Sequence, residues 1–166
     1  MIALIGPPGA GKTTAGALLA QRLDAAFRDT DADVEEVAGK PVADVFVEDG
    51  EDAFRQLERQ VTLQALTEHD GVLAVGSGAV LDPDVRAALA GNGTTVVYLK
   101  ADFAAVAKHA GLDKPRIVLP GNPRGRLRAM LEERGPLYEG LATVTVDTAD
   151  ADAGELADRI AAELDR

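Results

Sequence analysis

Eight consecutive residues, Gly6-Pro7-Pro8-Gly9-Ala10-Gly11-Lys12-Thr13, satisfy the spacing G-x-x-x-x-G-K-[ST]. Glycines at such positions let backbone N–H groups converge on a phosphate, and a helix beginning behind them adds the positive end of its dipole. In a loop of this kind Lys12 bridges the β- and γ-phosphates of a nucleotide, and the Thr13 hydroxyl ligates Mg²⁺. Gly9, Ala10, Gly11, Lys12, Thr13 and Thr14 are therefore the candidate nucleotide-binding residues. The plain alternative is a glycine-rich turn, but the motif stands after an apolar strand and before an amphipathic helix, where a phosphate loop must stand. A dinucleotide fingerprint does not compete, since Thr14 replaces the third glycine of G-x-G-x-x-G.

A second group, Asp29-Thr30-Asp31, follows a short apolar run. One carboxylate there can hold Mg²⁺ through its water shell while the other accepts a hydrogen bond from an acceptor hydroxyl. The triplet equally suits the first turn of a helix, where Asp is favourable in any case. A calcium loop is excluded: counted from Asp29, position six is Val34 instead of Gly and position twelve is Lys40 instead of Glu.

The net charge of −11 repels polyanions, which argues against nucleic-acid or membrane-surface binding. The charge is uneven, however. Six basic residues (Lys114, Arg116, Arg124, Arg126, Arg128 and Arg134) lie between positions 114 and 134 against Glu132 and Glu133, so this stretch is +4 and the remainder −15. Arginine suits bidentate contacts to phosphate or carboxylate, so a local anion site is implied; a solvated basic helix face is the alternative. With no cysteine and only His69 and His109, thiolate zinc sites, redox motifs and histidine-rich metal sites are excluded.

The elements that must position these residues follow from periodicity. Apolar, β-rich runs occur at Ile2–Ile5, Gly71–Val75, Thr94–Leu99 and Val144–Val146, with a shorter one at Ala26–Arg28. Helical spacing occupies Ala15–Leu23, Ala53–Leu66, Asp102–Ala110, Arg126–Leu137 and Leu156–Leu164. The alternation predicts an α/β fold, a five-stranded parallel sheet between two layers of helices in a single domain over residues 1–166. Positions 111–125 hold three prolines and three glycines and are read as a mobile lid. The apolar start is too short for a signal peptide and no run approaches the roughly eighteen residues of a membrane span, so a cytoplasmic, soluble protein is expected.

The order of phosphate loop, Asp29-Thr30-Asp31, then Phe46-Val47-Glu48-Asp49-Gly50-Glu51-Asp52-Ala53-Phe54-Arg55-Gln56-Leu57-Glu58, then Gly76-Ser77-Gly78-Ala79-Val80, then Arg134-Gly135-Pro136-Leu137-Tyr138 resembles the shikimate kinases of actinobacteria. The resemblance spans nearly the whole chain and implies a P-loop kinase fold that uses ATP and Mg²⁺ and phosphorylates shikimate. It implies that Asp31, Arg55, the Gly76-Ser77-Gly78 turn and Arg134 hold the substrate, with Arg55 and Arg134 on its carboxylate and Glu58 orienting Arg55. It further implies that Arg116 is the lid arginine covering the phosphates and that Asp29 serves the metal. An arginine pair matches a carboxylate, and a third neutralises the transferring phosphoryl group.

Read from the residues alone, Arg55 and Glu58 could be a surface i,i+3 pair and Gly76–Gly78 a plain strand-to-helix turn. Tyr138 and Phe54 are expected in the core. The chain departs from the family pattern at Ser77, where a third glycine is usual, at Ile117-Val118 after Arg116, at His109 in place of the arginine beneath the adenine, and in Asp147–Asp152, which lacks the usual arginine and proline. Ser77 is expected at ordinary φ, with Gly76 and Gly78 absorbing any unusual dihedrals. Three functions follow: a shikimate kinase, presumed to act as a monomer on a small molecule; a kinase for another polyhydroxylated ring or sugar acid of aminocyclitol or gluconate type; and a catalytically silent nucleotide-binding homologue. A nucleotide switch is disfavoured because N-K-x-D and D-x-x-G are missing.

Overall fold

Five strands, β1 (Ile2–Ile5), β2 (Ala26–Asp29), β3 (Gly71–Ala74), β4 (Thr95–Lys100) and β5 (Val144–Asp147), form one parallel sheet in the order β2-β3-β1-β4-β5. The computed structural model describes residues 1–91, 93–111 and 121–166. Among these the helices are α1 (Lys12–Arg22), α2 (Thr30–Ala38), α3 (Val42–Asp44), α4 (Glu51–Glu68), α5 (Pro83–Ala90), α6 (Phe103–His109), α7 (Pro123–Leu141) and α8 (Ala153–Leu164). Because every pairing is parallel, all five C-terminal strand ends open on one edge of the sheet, the edge where α/β proteins bind ligands.

The alternation along each strand divides the core. Ala3, Ile5, Leu73, Val75, Val96 and Tyr98 face one way, against Ala65 and Leu66 of α4, Val85 and Leu89 of α5, and Tyr138 of α7. Leu4, Val72, Val97, Leu99 and Val146 face the other, against Ala15 and Leu19 of α1 and Leu156 and Ile160 of α8. A strand buried on both faces reads as an unbroken apolar run, which is why Ile2–Ile5 and Thr95–Leu99 show no polar alternation. A third, smaller cluster lies apart from the sheet: Val34 of α2, Val45, and Phe54 and Val61 of α4.

The short strand β2 is an edge strand completed by its pairing with β3, from Ala26 opposite Gly71 to Asp29 opposite Ala74. The sequence reading gave no span to the helices α2, α3 and α5 and placed several helix ends a few residues short, one of them within the expected lid. Residues 122–125 of the stretch expected as a lid belong to the start of α7, where Asn122 accepts from the Gly125 amide at 2.9 Å and Pro123 opens the helix. Positions 112–120 of that stretch, Arg116 with them, lie outside the described residues.

Candidate active site

The loop between β1 and α1 takes the conformation its glycines permit. Gly9 and Gly11 sit at φ 79° and 92°, and Gly11 caps α1 in the left-handed region. Lys12, the first residue of α1, donates from Nζ to the carbonyls of Gly6 and Pro7, both at 2.9 Å. Loss of hydration pushes the Lys12 amine down to about 8, and the nearby carboxylates of Asp31 and then Asp29 offset only part of that.

Next to it, the Thr13 hydroxyl donates to Asp29 Oδ2 at 2.6 Å. The other oxygen of Asp29 accepts from the Asp31 amide at 2.9 Å and caps α2. The helix reading of the acidic triplet holds, with Asp29 as the cap, and the same carboxylate meets the phosphate-loop hydroxyl. A hydroxyl and a carboxylate oxygen side by side, on an exposed threonine and a half-buried aspartate, fit a Mg²⁺ ion that keeps most of its waters. Among the described residues no group of three or more acidic, histidine or cysteine side chains gathers into a metal cage.

Asp31 lies two residues further along the chain. Burial is the main cause that raises its carboxyl above the ordinary range, with the charge of Asp29 adding to it and Lys12 opposing. It borders a cavity of about 400 Å³ together with Lys12, Thr13, Ser77 and His109. An adjoining cavity of about 810 Å³ is walled by Gly9–Gly11, Thr14, His109 and the segment Thr148–Asp152. The His109 ring rests directly on Gly9, where any Cβ would strike it. The two cavities meet at Gly9, Gly11, Thr14 and His109, giving a path from a roomy pocket across the phosphate loop to Asp31.

The turn after β3 faces this path. Gly76 is wedged between carboxylates, for a Cβ there would stand 2.8 Å from Glu58 and 2.9 Å from Asp31. At Gly78 the Arg55 guanidinium packs against the bare Cα and leaves no room for a side chain. The expectation that these glycines absorb unusual dihedrals is corrected: Gly78 has φ −94°, neither lies at positive φ, and close approach explains both. Ser77 also avoids positive φ, as expected.

Arg55 donates to Glu58 at 2.7 Å, and the Glu58 side chain is only 4% exposed. A surface pair is thereby excluded. Burial raises the Glu58 carboxyl, and its hydrogen bond from Arg55 restrains that rise. The rings of Phe54 and Phe46 lie 5.1 and 5.8 Å from the same guanidinium. From α7, Arg134 reaches the same turn and donates to Ser77 Oγ at 3.4 Å. Its Nε is buried without a partner among the described residues. The other arginines of the basic stretch divide differently: Arg128 and Arg124 lie over Phe103 at 4.3 and 5.2 Å, so part of that charge packs α7 on α6.

Two contacts escaped the sequence reading. Thr30, wholly buried, accepts the Gly76 amide at 2.9 Å. Tyr138 is in the core as expected, yet its hydroxyl donates to the Ser77 carbonyl at 2.6 Å. A buried tyrosine hydroxyl needs a partner, which is the signal that could have pointed to this bond.

Comparison with known proteins identifies the family. A family model described as "Shikimate kinase" matches residues 8–165. A shikimate kinase of Thermobifida fusca (strain YX) is 56% identical over 161 residues, covering 97% of this chain and 92% of the relative. The solved structure of a shikimate kinase from Acinetobacter baumannii in complex with shikimate superposes with a TM-score of 0.87 at 37% identity, over 96% of this chain and 89% of that one. A gluconokinase from Sinorhizobium meliloti, at 21% identity and a TM-score of 0.59 over 99% of this chain and 91% of that one, shares the fold alone. By family model and by identity over almost its whole length, the chain belongs to the shikimate kinase family.

Proposed function

We propose that the chain transfers the γ-phosphoryl group of ATP to a hydroxyl of shikimate, giving shikimate 3-phosphate and ADP. The observation that carries this reading is that both arginines meet one three-residue turn, Arg55 at Gly78 and Arg134 at Ser77, and that Ser77 shares a cavity wall with Lys12 and Asp31. Two guanidiniums so placed suit an acceptor with a carboxylate, which an uncharged sugar would not use.

In this reading the phosphates lie along the Gly9–Thr14 amides, and Lys12 leaves the carbonyls of Gly6 and Pro7 for the β- and γ-oxygens. Asp31 accepts the hydroxyl proton as the oxygen attacks phosphorus and the bond to the ADP oxygen breaks; its raised pKa makes it the stronger base. Arg55, held by Glu58, and Arg134 fix the acceptor carboxylate, and Arg116 covers the phosphates. Thr13 and Asp29 would hold Mg²⁺, which when bound neutralises charge on the phosphate oxygens. The same proposal has the chain acting as a monomer in the cytoplasm, where ATP is supplied.

A coupled assay of ADP release tests the reading. Shikimate is expected to be used, with its carboxamide and gluconate at least thirtyfold poorer in kcat/KM; equal use of shikimate and its carboxamide would remove the clamp. In the same assay Asp29→Asn should raise the Mg²⁺ requirement while keeping the cap, and Asp31→Asn should depress kcat even at saturating Mg²⁺. Identical responses of the two variants to Mg²⁺ would refute the division of roles.

A further inference from the structure

The turn beside the arginine pair is a β-turn of defined type. The Ala79 amide donates to the Gly76 carbonyl at 3.0 Å, which makes Ser77 and Gly78 its two central residues. Gly78 at φ −94°, ψ −6° matches the second central position of a type I turn, about −90°, 0°. A type II turn differs chiefly by a half-rotation of the central peptide plane, which carries the second residue to φ of about +80°. For most residues that alternative is costly. For glycine it is not, and the Arg55 guanidinium lying on its Cα obliges position 78 to be glycine. The contact that builds one side of the acceptor site therefore leaves its backbone free to choose between two turns.

The peptide planes before the central one are already held. Thr30 Oγ1 fixes the Gly76 amide at 2.9 Å, and the turn's own hydrogen bond fixes the Gly76 carbonyl. The central plane carries the Ser77 carbonyl on one edge and the Gly78 N–H on the other, pointing in opposite directions because a trans peptide is planar. One side chain grips it: the Tyr138 hydroxyl donates to the Ser77 carbonyl at 2.6 Å. Tyr138 is 1% exposed and stacks on Tyr98 with ring centroids 5.2 Å apart, so it cannot follow a rotating carbonyl. Burial pushes its hydroxyl up to about 12, so it stays a proton donor throughout the working range of the protein.

We infer that Tyr138 is a positioning residue for the acceptor, holding the Gly76–Ala79 turn as type I and so fixing the direction of the Gly78 amide. In the flipped turn the plane would present a carbonyl oxygen where it now presents an N–H, replacing a donor by an acceptor next to the oxygens of an anionic substrate. The consequence for acceptor binding rests on the function proposed above; the conformational claim does not.

Tyr138→Phe tests it, since the phenyl ring keeps the stack on Tyr98 and removes the grip together with the hydroxyl's bond to Arg134, so the Gly78 resonance decides the turn where KM alone does not. The acceptor KM is expected to rise about tenfold, the loss of roughly one hydrogen bond, with the ATP KM within twofold of wild type. In amide NMR the single Gly78 resonance of the wild type is expected to broaden or double in the variant. An unchanged acceptor KM with a single Gly78 resonance, or equal changes in both KM values, would overturn the inference and leave Tyr138 a packing residue. Two Gly78 resonances in the free wild-type protein would overturn it without any variant. Failure of the wild type to phosphorylate shikimate would instead count against the function, and the resonance would still decide the turn.

Discussion

The two halves of the site are built in opposite ways. The nucleotide half is one stretch of chain, Gly6 to Thr14, whose working groups are backbone amides and whose shape follows from glycine dihedrals at the sheet's central strand. The acceptor half draws on five separate places, Asp31, Arg55, Glu58, the turn at 76–78 and Arg134, and works through charged side chains. Its wall rests on the small cluster of Val34, Val45, Phe54 and Val61, with Phe46 37% and Val47 84% exposed beside it. A segment with so little buried apolar surface opens more readily than the sheet does. The contrast separates a rigid, locally encoded phosphate cradle from an acceptor pocket that exists only once the chain is folded, and each substitution below acts on one side of it.

The largest effect belongs to the nucleotide half. Lys12→Ala should lower kcat by more than about 10²-fold, the range seen when an electrostatic donor to a transition state is removed. Its melting temperature should scarcely move, because the desolvated amine, held at about 8, itself opposes folding at neutral pH and so offsets the loss of its two bonds to the buried carbonyls of Gly6 and Pro7. Near-normal turnover in a folded variant would break the kinase reading itself.

Truncating the acceptor clamp should cost less and reveal more. The Arg55 side chain is about a quarter exposed, so Arg55→Ala should lower kcat/KM for the acceptor by about 2 kcal/mol, roughly thirtyfold and the low end for losing one partner of a desolvated charge pair. Arg134→Ala should act similarly on the acceptor, and neither should disturb the ATP KM. Stability distinguishes them: only Arg55→Ala strands the buried Glu58, so it alone should melt distinctly lower at neutral pH. That deficit should narrow on acidification, because a carboxyl raised above its unfolded value binds a proton that the unfolded chain has released. Calorimetry of both variants at pH 7 and pH 5 checks the pair; equal melting points would refute the distinction.

What the sequence revealed divides along the same line. The phosphate loop was legible because its residues are neighbours and its strand and helix flank it. The acidic triplet was legible as a metal and hydroxyl site or as the first turn of a helix, although only the fold shows one carboxylate of Asp29 capping that helix and meeting Thr13. Thr30 and the Tyr138 hydroxyl were not: their partners lie 46 and 61 residues away, and only the sheet order brings α2 and α7 to the turn after β3. Gly76 and Gly78 were assigned the wrong cause, since a glycine required by an approaching guanidinium looks in sequence like one required by φ. The early start of α7 was legible in principle, because Asn122-Pro123 is a helix-opening pair.

A pH series probes the nucleotide half alone. Lys12 sits at about 8 in the folded protein against 10.5 ordinarily, so between those values the unfolded chain holds more protons and its contribution to stability rises with pH. Activity runs the other way, because only the charged amine draws the phosphates. The value of kcat/KM for ATP should fall about tenfold per pH unit above 8, and Lys12→Arg, which stays charged, should lose this limb. Persistence of the limb in Lys12→Arg would assign it to another group.

The smallest effect tests the acceptor half at the residue where this chain departs from its family's triple glycine. Ser77 lies at ordinary φ, so its side chain adds no backbone strain and acts only through its hydroxyl. That hydroxyl accepts from Arg134 at 3.4 Å, a long bond that holds the guanidinium weakly, and it stands in the wall of the cavity bordered by Asp31 and Lys12. Ser77→Gly frees Arg134 for the acceptor and widens the pocket by one hydroxymethyl group, while Tyr138 still grips the backbone carbonyl. The gain in kcat/KM for shikimate should therefore be no more than roughly tenfold, about 1.4 kcal/mol, and should come through KM. Steady-state kinetics of both proteins on shikimate and on an amino- or deoxy-ring analogue make the comparison. Good turnover of the analogue by the wild type, with no shikimate turnover by either protein, would show a pocket refitted to another ring, the phosphate cradle unchanged and the acceptor half altered by a single hydroxyl.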